Sequence, residues 1–256
     1  MSTERVMELI EIRNRTDKIV SALLWIIISI ITLGAGGVAL MYLLIKRRNE
    51  HIKRDSELMD AIIEFLNNES KEYNIDLRDD LSSLRKLREV HTRLERGINP
   101  VVWPILNLAL LGLPMFFVYY LLSRDLSTHD SINREYVHTM NDALLKVDKG
   151  RVSEPLTVPK RPSSLFMIIG VVLWIVTSIV CFRTYQGARM LPGGIARGGG
   201  VLWGIQVILR NTSSLALIII LIFFMAYWTY VVISDYNIHF KRQWGWEDDL
   251  VDRLRR

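Results

Sequence analysis

The chain has 256 residues, half of them apolar, with a net charge of +5 and a single cysteine, Cys181. One thiol excludes an intrachain disulfide. The basic excess contains no Lys/Arg run with interleaved aromatics, which excludes the usual nucleic-acid surface and points to cytoplasmic loops and anionic lipid headgroups. The apolar residues are gathered into four blocks, 19–45, 101–123, 165–182 and 213–234. Runs of roughly 18 or more apolar residues mark bilayer segments. The expected fold class is therefore all-α, a polytopic α-helical integral membrane protein with four apolar blocks and amphipathic surface helices.

Residues 1–18 set Val6, Met7, Leu9, Ile10 and Ile12 among charges, the pattern of an amphipathic helix lying on a surface. Glu4, Glu8, Glu11 and Asp17 make this segment unlike a signal peptide. Block 19–45 is interrupted in its middle by Gly34-Ala35-Gly36-Gly37. Residues 46–100 are polar and helical in pattern, with one apolar stripe at Leu58, Met59, Ile62, Ile63 and Leu66 and a second at Leu77, Leu81, Leu84, Leu87 and Leu94. Two helices joined by a short polar turn are expected, docked on the membrane face or on a protein partner.

Block 101–123 is interrupted by Gly112-Leu113-Pro114. In 124–164 an amphipathic helix carrying Tyr136, Val137, Met140, Leu144 and Leu145 gives way to a linker with Pro155, Pro159 and Pro162. Blocks 165–182 and 213–234 contain no charge and are each long enough to span once. Between them, 183–212 is glycine-rich, with an apolar patch at 201–209 expected at the interface. Gly198-Gly199-Gly200 lacks the Lys-Ser/Thr of a phosphate-binding loop. A basic amphipathic tail, 235–256, closes the chain.

One pattern occurs twice without gaps. Trp25, Leu33-Gly34, Tyr42, His51 and Glu57 recur as Trp103, Leu111-Gly112, Tyr120, His129 and Glu135. Tyr230 and His239 repeat part of it, and in all three copies the His follows the Tyr by nine positions. If every block spans, Lys and Arg divide 16 to 16 across the membrane. If blocks one and two dip in and return, they divide 28 to 4. The positive-inside rule favours the second arrangement, with turns at Gly34, Gly36, Gly37, Gly112 and Pro114, where glycine frees the backbone and proline removes a donor. The alternative for block one is a tilted spanning helix with a small-residue packing face.

Trp25, Tyr42, Trp103, Tyr120, Trp228 and Tyr230 sit where apolar chain meets polar chain and read as interfacial anchors. His51, His129 and His239 begin the charged segments, each with a polar residue two positions earlier: Asn49, Ser127 and Asn237. If the copies share one side, three imidazoles converge in a set suited to zinc. Otherwise they bond to backbone or lipid phosphate. No catalytic motif and no cofactor-binding motif is present. The charge-free spanning blocks argue against a pump or secondary transporter.

The repeat resembles an uncharacterised prokaryotic membrane-domain family, common in archaea, on the strength of Thr32-Leu33-Gly34 with Tyr42 and of Asp235-Tyr236-Asn237-Ile238-His239. The first copy has Arg47 where that family has Asp, and the second has Ser127 for Asn. The resemblance implies a prokaryotic plasma membrane and no particular activity.

The expected function is a non-enzymatic membrane scaffold, membrane-shaping protein or anchoring subunit. It would bind anionic lipids through its basic segments and form a homo-oligomer or complex through 46–98. The alternatives are a channel or transporter subunit on inverted repeats, and a membrane enzyme with a histidine metal site.

Overall fold

The computed structural model describes residues 2–155, 163–189 and 201–255. Every regular element among them is helical: α1 Ser2–Glu11, α2 Arg13–Thr16, α3 Ala22–Ile31, α4 Ala35–Glu72, α5 Arg78–Thr92, α6 Val102–Ala109, α7 Leu113–Lys146, α8 Ser163–Arg189, α9 Val201–Arg210 and α10 Thr212–Leu254, with a short 3-10 turn at Arg93–Glu95.

The first block is two helices, and the glycines decide where it breaks. The Ser21 hydroxyl oxygen accepts from the Leu24 N–H and starts α3. Leu33 and Gly34 then take left-handed angles, φ +50° and +96°. The Gly34 N–H donates to the Ser29 carbonyl at 2.7 Å, a helix-terminating closure that glycine accommodates without Cβ strain. Thr32 bridges the corner, its hydroxyl donating to the Ile28 carbonyl and accepting from the Gly36 N–H, both at 2.7 Å. A Cβ on Gly36 would lie 2.7 Å from Ile28 Cγ2 and 2.9 Å from the Ser29 nitrogen, so α3 and α4 touch almost backbone to backbone.

Block two repeats this geometry. Leu111 and Gly112 have φ +48° and +92°, and the Gly112 N–H donates to the Asn107 carbonyl at 2.8 Å. Asn99, equivalent to Ser21, accepts from the Val101 and Val102 N–H groups. Pro114 falls in the first turn of α7, where its missing N–H costs nothing.

The open end of each hairpin is tied by an asparagine of another copy. The Asn237 amide donates to the Val20 carbonyl and accepts from the Val20 N–H and from Arg47, so both ends of the first hairpin meet there. The Asn49 amide donates to the Ile98 carbonyl. Its neighbour Arg48 binds both the Leu94 carbonyl and Asp125, closing the second hairpin. The polar residue two before each histidine thus has a use in two copies of three: it latches the lead-in of a neighbouring repeat.

Helices α8 and α10 run antiparallel, with Thr184 against Ser214 at one end and Phe166 against Trp228 at the other. These two are long and apolar enough to cross a membrane. The Trp174 indole N–H donates to the Leu111 carbonyl at 3.0 Å, so the tip of the second hairpin meets α8 partway along its length. The tip residues Leu33 and Leu111 are 97% and 82% exposed and, with Ile26, Trp174 and Met225, line a cavity of about 570 Å³.

Two cores are stacked along the long helices. One gathers Leu40, Leu44, Phe116, Tyr119, Leu122, Trp228 and Phe240. The other forms a head from α1, the distal halves of α4, α7 and α10, and α5. Several expectations change here. Val6, Leu9 and Ile10 of the N-terminal segment, and both stripes of 46–100 up to Leu84 and Leu94, pack inside this chain rather than on a membrane or a partner. The long helices supply the apolar wall that a reading of 46–100 alone lacked. Residues 235–254 are the distal half of α10, with Trp246, Leu250 and Leu254 in the head core. Trp228 is 1% exposed, stacked among Phe116, Tyr119 and Phe224, so it is a core residue and no interfacial anchor. Tyr42 and Tyr230 are exposed, while Trp25, Trp103 and Tyr120 are half-buried against the same core. The patch at 201–209 is the helix α9. The linker 156–162, with Pro159 and Pro162, and the glycine run at 198–200 lie outside the described residues.

Candidate metal centre

The three repeat histidines meet at the waist between the two cores, fully buried. His51 comes from α4, His129 from α7 and His239 from α10. His51 Nε2 lies 3.1 Å from His129 Nε2 and 3.3 Å from His239 Nε2. Each pair of rings stands edge-on, with centroids 4.9 to 5.3 Å apart. The expectation of surface histidines bonded to backbone or lipid phosphate is overturned. The helices continue past each histidine into the head, so mid-helix positions replace the expected helix starts.

The outer nitrogens orient the rings. His51 Nδ1 is 2.9 Å from Asp17 Oδ1, and His239 Nδ1 is 3.3 Å from Asp130 Oδ1. His129 Nδ1 is 3.0 Å from His91 Nε2, whose own Nδ1 meets the Ser56 hydroxyl at 2.9 Å. A carboxylate accepts from a ring N–H, so His51 and His239 carry their protons on Nδ1 and turn unprotonated Nε2 atoms inward. Lone pairs held this close repel unless a cation lies between them. Two nitrogens on one tetrahedral zinc at 2.0–2.1 Å are about 3.3 Å apart, close to the separations found here. Carboxylates behind metal-binding imidazoles are the usual orienting partners.

The surrounding charge suits a cation. Asp17 also accepts from Arg54 at 2.9 Å, and Arg54 binds both oxygens of Glu247. The Gln243 amide N–H group donates to Asp55 at 2.6 Å and to Glu247 at 2.9 Å, which fixes its orientation. Its oxygen lies buried beside His129. Three buried carboxylates, Asp17, Asp55 and Glu247, thus surround one fully buried guanidinium.

Protonation follows from burial. His129 is pushed well below the usual histidine range by burial and then by the three neighbouring imidazoles. His51 is also lowered by burial, which outweighs the adjacent Asp17. Burial opposes ionisation of Asp17, but His51 and Arg54 outweigh it and hold the carboxyl below its usual range. A neutral His51 opposite an ionised Asp17 is the form a metal ion takes up.

The three predicted histidines are brought together. The predicted turn residues are not among them: Gly34 and Gly112 lie at the tips, and His51 is about 24 Å along α4 from its start at the helical rise. Unforeseen members have a helical signal. Arg54 and Asp55 follow His51 by three and four positions, and Gln243 and Glu247 follow His239 by four and eight, all on one face. Asp17 and His91 had none. No family model, curated protein or solved structure matches the chain.

Proposed function

We propose that this protein is a membrane scaffold or anchor that enters the bilayer from one face and whose three long helices are clamped by a transition-metal ion at His51, His129 and His239. The observation that carries the reading is the convergence of three inward-turned Nε2 atoms, each ring held from behind. Imidazole sets of this kind suit zinc and its late first-row neighbours. No histidine of the three lines the cavity between the hairpin tips, and all are buried. A closed centre of this kind acts structurally, whereas a catalytic one keeps an accessible position.

Membrane insertion is supported by where the apolar surface lies. Only 11% of the most apolar window of α8 is buried within the protein, so that helix is no core helix of a soluble fold. The exposed Leu23, Ile27, Ile105, Leu108, Val172 and Phe223 all belong to the four apolar blocks. One-sided insertion of the two hairpins is supported by their common direction: both tips line one cavity and both far ends reach one histidine cluster. Inverted repeats would point the tips oppositely, so a transporter built that way is the weaker reading. Hairpins that stop partway widen one leaflet, and the 28-to-4 charge division puts the head on the cytoplasmic side. Lys and Arg side chains of the head, matched there by 27 acidic residues, would meet anionic lipid headgroups individually. A protein partner or second copy would meet the polar outside of 46–98, because its apolar stripes are already covered.

The test is metal analysis of full-length protein purified without added chelator. Stoichiometric bound metal, lost together from His51→Ala and His239→Ala, is expected. Metal-free protein that takes up no zinc or cobalt would overturn the clamp. For the topology, Cys181→Ser protein with cysteines placed singly at Asn74, Lys149 and Gly187 is labelled in intact cells. Labelling at Gly187 alone is expected, and labelling at Asn74 would refute one-sided insertion.

A further inference from the structure

His129 has a second occupied side. Its Nδ1 lies 3.0 Å from His91 Nε2 and 3.9 Å from Asp55 Oδ2, while Asp55 Oδ2 and His91 Nε2 are 3.4 Å apart. All three residues are fully buried. These separations bracket the roughly 3.3 Å edge of a tetrahedral zinc shell. The far sides are held: Asp55 Oδ1 accepts from Gln243, and His91 Nδ1 meets the Ser56 hydroxyl. Asp55 Oδ2 itself accepts no hydrogen bond among the described residues, which is costly for a buried carboxylate.

With one metal ion at the three Nε2 atoms, His129 keeps its proton on Nδ1 and donates it to His91 Nε2. Asp55 Oδ2 then faces the same lone-pair region with no donor. A proton relay from Ser56 through His91, His129 and His51 to Asp17 satisfies those five groups. It leaves His239 Nε2 against His51 Nε2 with no proton to share, because His239 holds its own on Nδ1 toward Asp130. A cation on each side of His129 uses every inward atom.

We infer that the centre is binuclear: a second divalent transition-metal ion binds Asp55 Oδ2, His91 Nε2 and His129 Nδ1, and the His129 imidazolate bridges it to the first. This rests on the metal reading above and extends it. In the second binding step the ion replaces the Nδ1 proton of His129, which passes to solvent, and the freed nitrogen pair forms the new metal bond. No electron is transferred.

The experiment is stepwise loading of the full-length, chelator-stripped protein, with zinc for stoichiometry and copper(II) for spin resonance. The expected result is two zinc ions per chain, falling to one in Asp55→Asn and in His91→Ala. The copper signal should weaken as the second equivalent enters, because bridged ions couple magnetically. Asp55→Asn is isosteric and keeps an oxygen for the Gln243 contact, so its monodispersity serves as the folding control. One ion per chain in the natural sequence, unchanged in both variants, would overturn the second site while leaving the clamp intact. No ion at all would remove both. Two ions whose copper signals simply add would refute the bridge.

Discussion

Gly36→Ala separates a hairpin from a straight helix by the sign of its effect. In a continuous spanning helix Gly36 would be an interior glycine, and alanine there stabilises by about 1 kcal/mol. In the hairpin the new Cβ would lie 2.7 Å from Ile28 Cγ2, 2.9 Å from the Ser29 nitrogen and 3.0 Å from the Ile28 carbonyl carbon. Favourable carbon contacts begin near 3.5 Å. The legs must therefore part by roughly 0.5–1 Å, and two of the three obstructing atoms are backbone and cannot swing aside. Overpacking of this degree costs about 1–3 kcal/mol. Gly37→Ala is the internal control. Its Cβ would meet only Met115 Cε at 3.4 Å and the Ser29 side chain beyond it, so it should be neutral or stabilising by up to about 1 kcal/mol. The assay is reversible unfolding of purified protein in mixed detergent micelles, followed by helicity. Equal or greater stability in Gly36→Ala, matching Gly37→Ala, would refute the hairpin.

Three further outcomes follow from single contacts. Arg54→Met leaves Asp17 and Glu247 buried without their shared cation. It should cost about 3–5 kcal/mol and weaken metal retention by freeing His51, and an unchanged melting temperature would contradict the network. Trp174→Phe removes the donor to the Leu111 carbonyl and should cost about 0.5–1.5 kcal/mol, read in the same micelle titration. His138, exposed on α7, is raised above its ordinary value of 6.5 by its hydrogen bond to Glu154 and by the charge of Asp142. A raised folded value means that the contribution is present below pH 6.5 and is lost as pH rises through the folded value. The His138 ring resonance should therefore titrate above 6.5 and return toward it in Glu154→Gln, and identical titrations would refute the pairing.

Much of this architecture was legible in the chain. Gly34 and Gly112 announced the breaks because left-handed angles follow from the lack of a Cβ, and the spacing of Tyr42, Tyr120 and Tyr230 to the next histidine placed three imidazoles at one level. The α4–α5 pairing, the helical class and the two long apolar helices α8 and α10 were equally readable from period and composition. What was hidden depended on long-range pairing. Asp17 and His91 lie 34 and 38 positions from the histidines they meet, and no local pattern marks them. The burial of Val6 and Leu9 was hidden for the same reason: an amphipathic stripe shows that a face will be covered but not by what. Trp228 looked like an anchor because its neighbours in sequence mark a boundary, whereas its neighbours in space are Phe116 and Tyr119.

The distribution of the three histidines also sets an order of assembly. His51 and His129 are separated by 78 positions, and His239 follows His51 by 188. Each copy contributes one histidine, so the cluster cannot close until the last copy has been synthesised and α10 has joined its partners. Until then Asn49 can latch the second hairpin, while the partner of Val20 has yet to arrive. Closure of the histidine cluster is therefore the last step of assembly, and it waits on α10.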